Sequence, residues 1–461
     1  MGIQQIMLGT SPGGDTYWIK SDGKNTTGYY LQYDGVYVDT AGNVYTYGRT
    51  NDPWNTSNPW RYTRVCLNKY DKHGTNIFYK RFSATNSNSQ EPINHGMVGL
   101  SDGSVVFTTA GHQASVKVNS SGTILYKKSY GTSSSSVDAN FTSISVNSSD
   151  QTYYTGYAAS SGSGTINVFR INSNGTLSGD WQVATTSTGS WGVNFNQTGT
   201  DSNGNVYIIG GRSMGSGSTA YDRDGYIMKL NSSMVIQWQH TLGGSGYYPI
   251  ENWYDLAFDS NDNVYCVGTT RFSDRHYGWI VKYNSSGTLQ WQKKFGDGTQ
   301  NLYFWSISID SDDNIYCQGD VDLYGKHPFW VKLNTSGTLQ YQRALRENTS
   351  AANHADHVRC MRCFGDALYI VGRRFAGSSK NFGWIAKVPK AGVDTGTYDN
   401  KYIIEEPSFT MSNTSFTEDR ATVAFTISDV TNKNTYNANY AVSTSSWPED
   451  VSSVYDVDFG Q

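Results

Sequence analysis

The chain has 461 residues, of which 16% are charged and 14% aromatic, with 48 glycines and a formal net charge of -4. That charge offers no general attraction for nucleic acid, and no apolar run is long enough to span a bilayer. The opening "MGIQQIMLG" has neither the basic start nor the apolar length of a secretory leader.

Taken from the N-terminus, residues 1–32 form a separate segment. Its "TYWIKSDGKNTTGYYLQ" (Thr16 to Gln32) reads as a worn pair of strands, for attachment or for closing a blade, either outside the ring or beside Lys401 to Glu406. From Tyr33 a ten-residue phrase then recurs: "DTAGNVYTYG" at Asp39, "DSNGNVYIIG" at Asp201, "DSNDNVYCVG" at Asp259 and "DSDDNIYCQG" at Asp310. The aligned positions are Tyr45, Val106 or Phe107, Tyr153, Tyr207, Tyr265, Tyr316 and Tyr369, a mean step of 54 residues. A second phrase follows each copy, as in "WIVKYNSSGTLQWQKKFG" from Trp279 and "WVKLNTSGTLQYQRAL" from Trp330.

Each unit therefore predicts four short strands, A to D, joined by tight hairpin turns rich in Asp, Asn and Gly, residues that reach positive φ easily. Repeated four-stranded meanders form a propeller, so the expected fold is all-β, a seven-bladed β-propeller over residues 33–406 with no helix. After Glu406 the punctuation stops. Residues 407–461 alternate hydroxyl and apolar side chains and are expected to form a small β-rich appendage, either a strap or an attachment and oligomerisation element.

The pattern D-x-x-G-N-V-Y-x-x-G followed by W-I-V-K-L-N-x-x-G-T-L-x-W resembles the bacterial β-propeller repeat family of large surface proteins, over Tyr33 to Asp399. The resemblance implies the fold and leaves the activity open. The opening "MGIQQIMLG" with "TSPGGDTYW" resembles virion structural proteins of marine tailed bacteriophages. That second resemblance implies a chain folded in the host cytoplasm and carried in the virion, touching other virion proteins through its termini and oligomeric in the particle.

Catalytic signals are sparse. No pair of carboxylates stands apart from the turns, and there is no nucleophile elbow or H-E-x-x-H. His354 and His357 in "HADH" are expected to be exposed or packed, because an i, i+3 spacing does not share a strand face. The lone C-x-x-C of Cys360 and Cys363 suggests buried thiols more than zinc, and the Asp-led turns suggest hairpins more than calcium. No metal, cofactor, nucleic acid or membrane insertion is expected.

The variable B to C loops carry Arg and aromatic residues that suit sugar rings and anionic groups. Trp54, Trp60, Arg61, Arg212, Arg271, His276, Arg373 and Arg374 are the candidate ligand-binding residues. The resulting expectation is a non-enzymatic phage virion component (tail fibre, tail tip or capsid decoration) that binds host surface polysaccharide. The alternatives are a bacterial cell-surface adhesin or scaffold and a polysaccharide-degrading propeller enzyme.

Overall fold

The first Asp of each repeated phrase shapes its turn. Asp310 Oδ1 accepts the backbone N–H groups of Asp312 and Asn314 at 3.0 and 2.9 Å, while the Asn314 amide returns to the same carboxylate. Asp39, Asp201 and Asp259 repeat this arrangement. In the C to D turns Asn119, Asn231, Asn284 and Asn334 accept in the same way. A carboxylate or amide that satisfies two backbone donors fixes a hairpin without a metal. Among the described residues, no group of three His, Cys, Asp or Glu side chains is placed to hold an ion.

The computed structural model describes residues 6–10, 16–22, 30–51, 63–84, 96–109, 114–130, 141–157, 166–185, 193–213, 223–244, 251–272, 274–322, 326–348, 356–375, 381–392, 395–398, 402–418, 425–429, 438–439 and 442–446. They form seven antiparallel sheets, and no helix occurs among them. Blade 6 is representative, with A at Leu302–Ile309, B at Ile315–Asp322, C at Lys326–Leu333 and D at Leu339–Glu347. The A strands pack side by side around the axis, and Asp356–Phe364 of blade 7 packs on Leu31–Val38 of blade 1, closing the seven-bladed propeller.

Both termini join the ring. Thr16–Asp22 pairs with Asn381–Pro389 and supplies the D strand of blade 7, with Ile6–Thr10 outside it. Beyond blade 7 the chain turns back and runs round the rim in reverse order. Tyr402–Glu405 pairs with D of blade 6, Met411–Asn413 with blade 5, Thr417–Glu418 with blade 4 and Phe425–Asp429 with blade 3. Ala438–Asn439 and Val442–Ser446 do the same for blades 2 and 1. The D strands, which a four-stranded blade would leave with unpaired N–H and C=O groups, are covered all the way round.

The repeated Tyr and Lys bind one blade to the next. Lys69, Lys229 and Lys282 lie opposite Tyr45, Tyr207 and Tyr265, with the ammonium 4.9, 5.1 and 4.7 Å from the ring centre. Lys69 and Lys229 then donate to the Ser120 and Ser285 carbonyls in the C to D turns of the following blades, each at 2.9 Å. Lys387 does this across the closing seam, to the Lys72 carbonyl. The apolar core fills the gaps between blades, as where Phe82 meets Phe107 at 4.8 Å. All five cysteines are free thiols, and four are buried.

Candidate functional site

Six of the A strands carry a β-bulge at the same position, where one residue is squeezed out of register. Bulges re-aim side chains and recur beside binding sites. The glycine that ends each repeated phrase lies opposite the bulge and makes it possible. A Cβ on Gly319 would lie 1.6 Å from the Tyr303 carbonyl oxygen, and one on Gly372 would lie 1.9 Å from that of His357. The extra residue differs from blade to blade: Asp34, Thr142, Asn196, Tyr254, Trp305 and Arg359. The scaffold is thus repeated while the chemistry is not.

Around the bulges of blades 5 to 7, on the face formed by the B to C and D to A loops, the varied residues meet. Trp305 is central. Its ring lies 4.7 Å from that of Tyr254 and stacks on Tyr303 at 5.6 Å, and the Arg359 guanidinium sits 5.6 Å from its centre. Its indole Nε1 donates to Asp320 Oδ2 at 3.0 Å. Asp320 is almost fully buried, and it also accepts the Val358 N–H at 3.2 Å and faces His357 Nδ1 at 3.3 Å. A buried carboxylate stays in place only when such bonds replace its lost water. They link B of blade 6 to the start of A in blade 7.

His357 is 17% exposed, and its Nε2 has no protein partner among the described residues. Next to it across the strand pair is Arg373, whose guanidinium reaches Tyr30. Neither Arg373 nor Arg359 pairs with a carboxylate among the described residues. On the blade 5 side the His276 ring meets Tyr303 at 5.0 Å. Burial, then the nearby Arg271 charge, pushes the His276 pKa down. Burial chiefly, reinforced by Asp322, raises the Tyr303 phenol to about 12, so it stays protonated near neutrality.

The candidate ligand residues divide. Arg271, His276 and Arg373 lie within this cluster. Arg374 is 1% exposed and ion-paired with Glu347 inside the ring, and Arg212 is buried opposite Asp224. Trp54, Trp60 and Arg61 lie outside the described residues. Sequence reasoning did not single out Tyr254, Tyr303, Trp305, Asp320 or Arg359, and it named His357 only as an exposed or packed residue. The one available signal was the glycine ending each phrase, which marks the bulge opposite it.

Fold and site together define a seven-bladed propeller with an aromatic and cationic cluster at the mouth of blades 5 to 7. No family model and no curated protein matches the chain. Among solved structures it is similar to a streptogramin B lyase at 10% identity, covering 81% of this chain and 98% of the other with a TM-score of 0.47. An ulvan lyase, described as a new family of polysaccharide lyase, is 9% identical over 79% of this chain and 93% of its own, with a TM-score of 0.47. An apocarotenoid oxygenase from Synechocystis is 9% identical over 85% and 97%, again with a TM-score of 0.47. These likenesses concern the fold alone. The expectation that the chain is not an enzyme does not stand, since the structures it is similar to include two lyases and an oxygenase.

Proposed function

We propose that the mouth of blades 5 to 7 binds an acidic saccharide of a cell surface, and that the protein is the host-attachment component of a phage particle. The observation that carries the binding reading is the pair Arg359 and Arg373. Both lie beside aromatic rings and neither is neutralised by a carboxylate among the described residues. A guanidinium gives planar, charge-assisted hydrogen bonds to a carboxylate or sulfate, and an aromatic face packs on the apolar face of a sugar ring. The particle assignment is supported by the N-terminal phrase and by the Tyr-, Ser- and Asn-rich, weakly charged composition.

The test is titration of the full chain with uronate-bearing, sulfated and neutral oligosaccharides of matched length. Acidic chains should bind and neutral ones should not. Arg359→Gln together with Arg373→Gln should weaken binding at least tenfold, about 1.4 kcal/mol, with the melting temperature nearly unchanged. Equal binding of neutral chains would discard the site. Detection of the chain in purified particles by mass spectrometry separates a virion component from a bacterial surface adhesin.

A further inference from the structure

The acidic-saccharide reading accounts for Arg359, Arg373 and the rings, but it does not use the Asp320 to His357 contact or the protonated Tyr303. Asp320 holds His357 by Nδ1, and Nε2 has no protein partner among the described residues. Oriented in this way by a buried carboxylate, an imidazole is set up as a general base. Tyr303 lies directly across the strand pair from Asp320, so base and phenol flank the same carboxylate. The Arg359 guanidinium lies over Trp305, whose indole donates to that carboxylate. Inverting and retaining glycoside hydrolysis both need a carboxylate pair at the scissile bond. Here Asp320 is spent on Trp305, Val358 and His357, and Asp322, two residues along the same strand, accepts from the Asn301 amide at 3.3 Å.

Resting on the acidic-saccharide reading, we infer that this mouth cleaves its ligand by β-elimination, with a polysaccharide of uronic acid residues substituted at O4 as substrate. Arg359 binds the uronate carboxylate and stabilises the negative charge that develops on it. His357 Nε2 takes the proton from C5, α to that carboxylate. The C5–H electron pair becomes the C4=C5 double bond, and the C4–O4 bond breaks. O4 leaves with the Tyr303 phenolic proton. Solvent returns a proton to Tyr303 and removes one from His357, so the cycle needs no oxidant, reductant or cofactor. Burial of Tyr303, which keeps its proton in place until the leaving oxygen needs it, fits the role of acid.

The full chain is incubated with polygalacturonate, alginate and hyaluronan, all of which carry uronates substituted at O4. The conjugated product is followed by ultraviolet absorbance, new reducing ends are measured, and binding is measured separately. At least one polymer should yield absorbance and reducing ends together. His357→Gln should cut the rate about 100-fold or more while leaving Kd essentially unchanged. Asp320 is a positioning residue. Asp320→Asn keeps its shape and removes the charge opposite Nδ1, so it should lower kcat with KM held. A thermal melt of each variant checks that it is folded. Binding without absorbance from any of the three polymers overturns the elimination while the binding reading stands. Reducing ends without absorbance overturn it in favour of hydrolysis. No binding at all removes both readings.

Discussion

Asp313 occupies a turn position at which other copies of the phrase use glycine, and its backbone has a φ of 60°. The carboxylate explains the choice. It accepts the Ser260 N–H at 2.8 Å and the Ser260 hydroxyl at 2.7 Å, and Ser260 belongs to the turn of the preceding blade. Asp262 holds Ser202 and Asp150 holds Ser101 in the same way, each from an equally left-handed backbone. The crowd of acids in "DSDDN" is therefore divided: Asp310 builds its own turn and Asp313 reaches to the neighbouring one. Asp313→Ala should cost about 1–2 kcal/mol, since it keeps the unfavourable φ and loses both bonds. Asp313→Gly should be close to neutral, because relief of the backbone offsets the lost contact. Asp310→Ala removes an acceptor of several buried or half-buried donors and should cost more than either. Denaturant unfolding of the three variants checks the order, and Asp313→Gly as damaging as Asp313→Ala would show that the inter-blade bond dominates.

The strand that runs backwards round the rim is an element whose sequence carries a faint beat of its own. "SFT" occurs at Ser408 and Ser415 and "AFT" at Ala424, and these phrases bring Met411 opposite Phe295, Glu418 opposite Leu242 and Ile427 opposite Val183. The D-strand partners are equivalent positions in blades 5, 4 and 3. Phe409 is a buried anchor, packed edge-on against Phe295 at 5.9 Å, while Gln342 and Gln292 bond the backbone oxygens of Phe409 and Phe416. Phe409→Ala should therefore cost about 3 kcal/mol, and Phe416→Ala, at a more exposed position, should cost less. Thermal melts of the two variants decide it. Expression of residues 1–406 should give a ring whose D edges in blades 1 to 5 lack this cover, and it should self-associate on sizing. A monomer with the full melting temperature would show that the rim strand does not protect the edges. The blades were legible because most copies write the same turn, Tyr and Lys. The rim strand was not, because its partners are set by the assembled ring and its short pairings leave only this weak period.

At the scale of the whole molecule, legibility ran out where blades meet. His357 and Asp320 are 37 residues apart and belong to different units, so no spacing along either unit joins them. The seven-fold pattern placed the strands but could not say which variable residues would face one another. The acid response also belongs to the assembly. Burial alone would raise Asp259 and Asp310, but the amides of Asn263 and Asn314 and backbone N–H groups outweigh it and hold both carboxyls low. Burial would likewise raise Asp102, but Lys117 and Ser104 together outweigh it and draw the carboxyl to about 2. A carboxyl whose folded pKa lies below its unfolded value contributes stability above the unfolded value and loses it as pH falls through the folded one. These turns should keep full strength above about pH 4 and weaken between there and about pH 2. Asp22, raised by burial, acts in the opposite sense. A melting temperature flat from pH 7 down to pH 2 would contradict this account.

Ring closure gives the sharpest test of the whole molecule, because a single N-terminal strand completes the last blade. Thr16–Asp22 places Trp18, fully buried, against blade 7 and carries the seam to blade 1. There Lys20 donates to the Gly74 carbonyl, and Asp22 accepts from the Tyr33 and Tyr70 hydroxyls. Stability in a ring of repeats comes from neighbouring interfaces, and this strand is half of one. Deleting residues 1–29 should remove the D strand of blade 7 and the charge partner of the seam together, and it should expose the edge of Asn381–Pro389. The expected product is insoluble, or melts well below the full chain. Trp18→Ala in the intact chain should cost about 3–5 kcal/mol by cavity formation alone. A soluble 30–461 fragment that melts with the full chain would mean the propeller closes without its N-terminal strand.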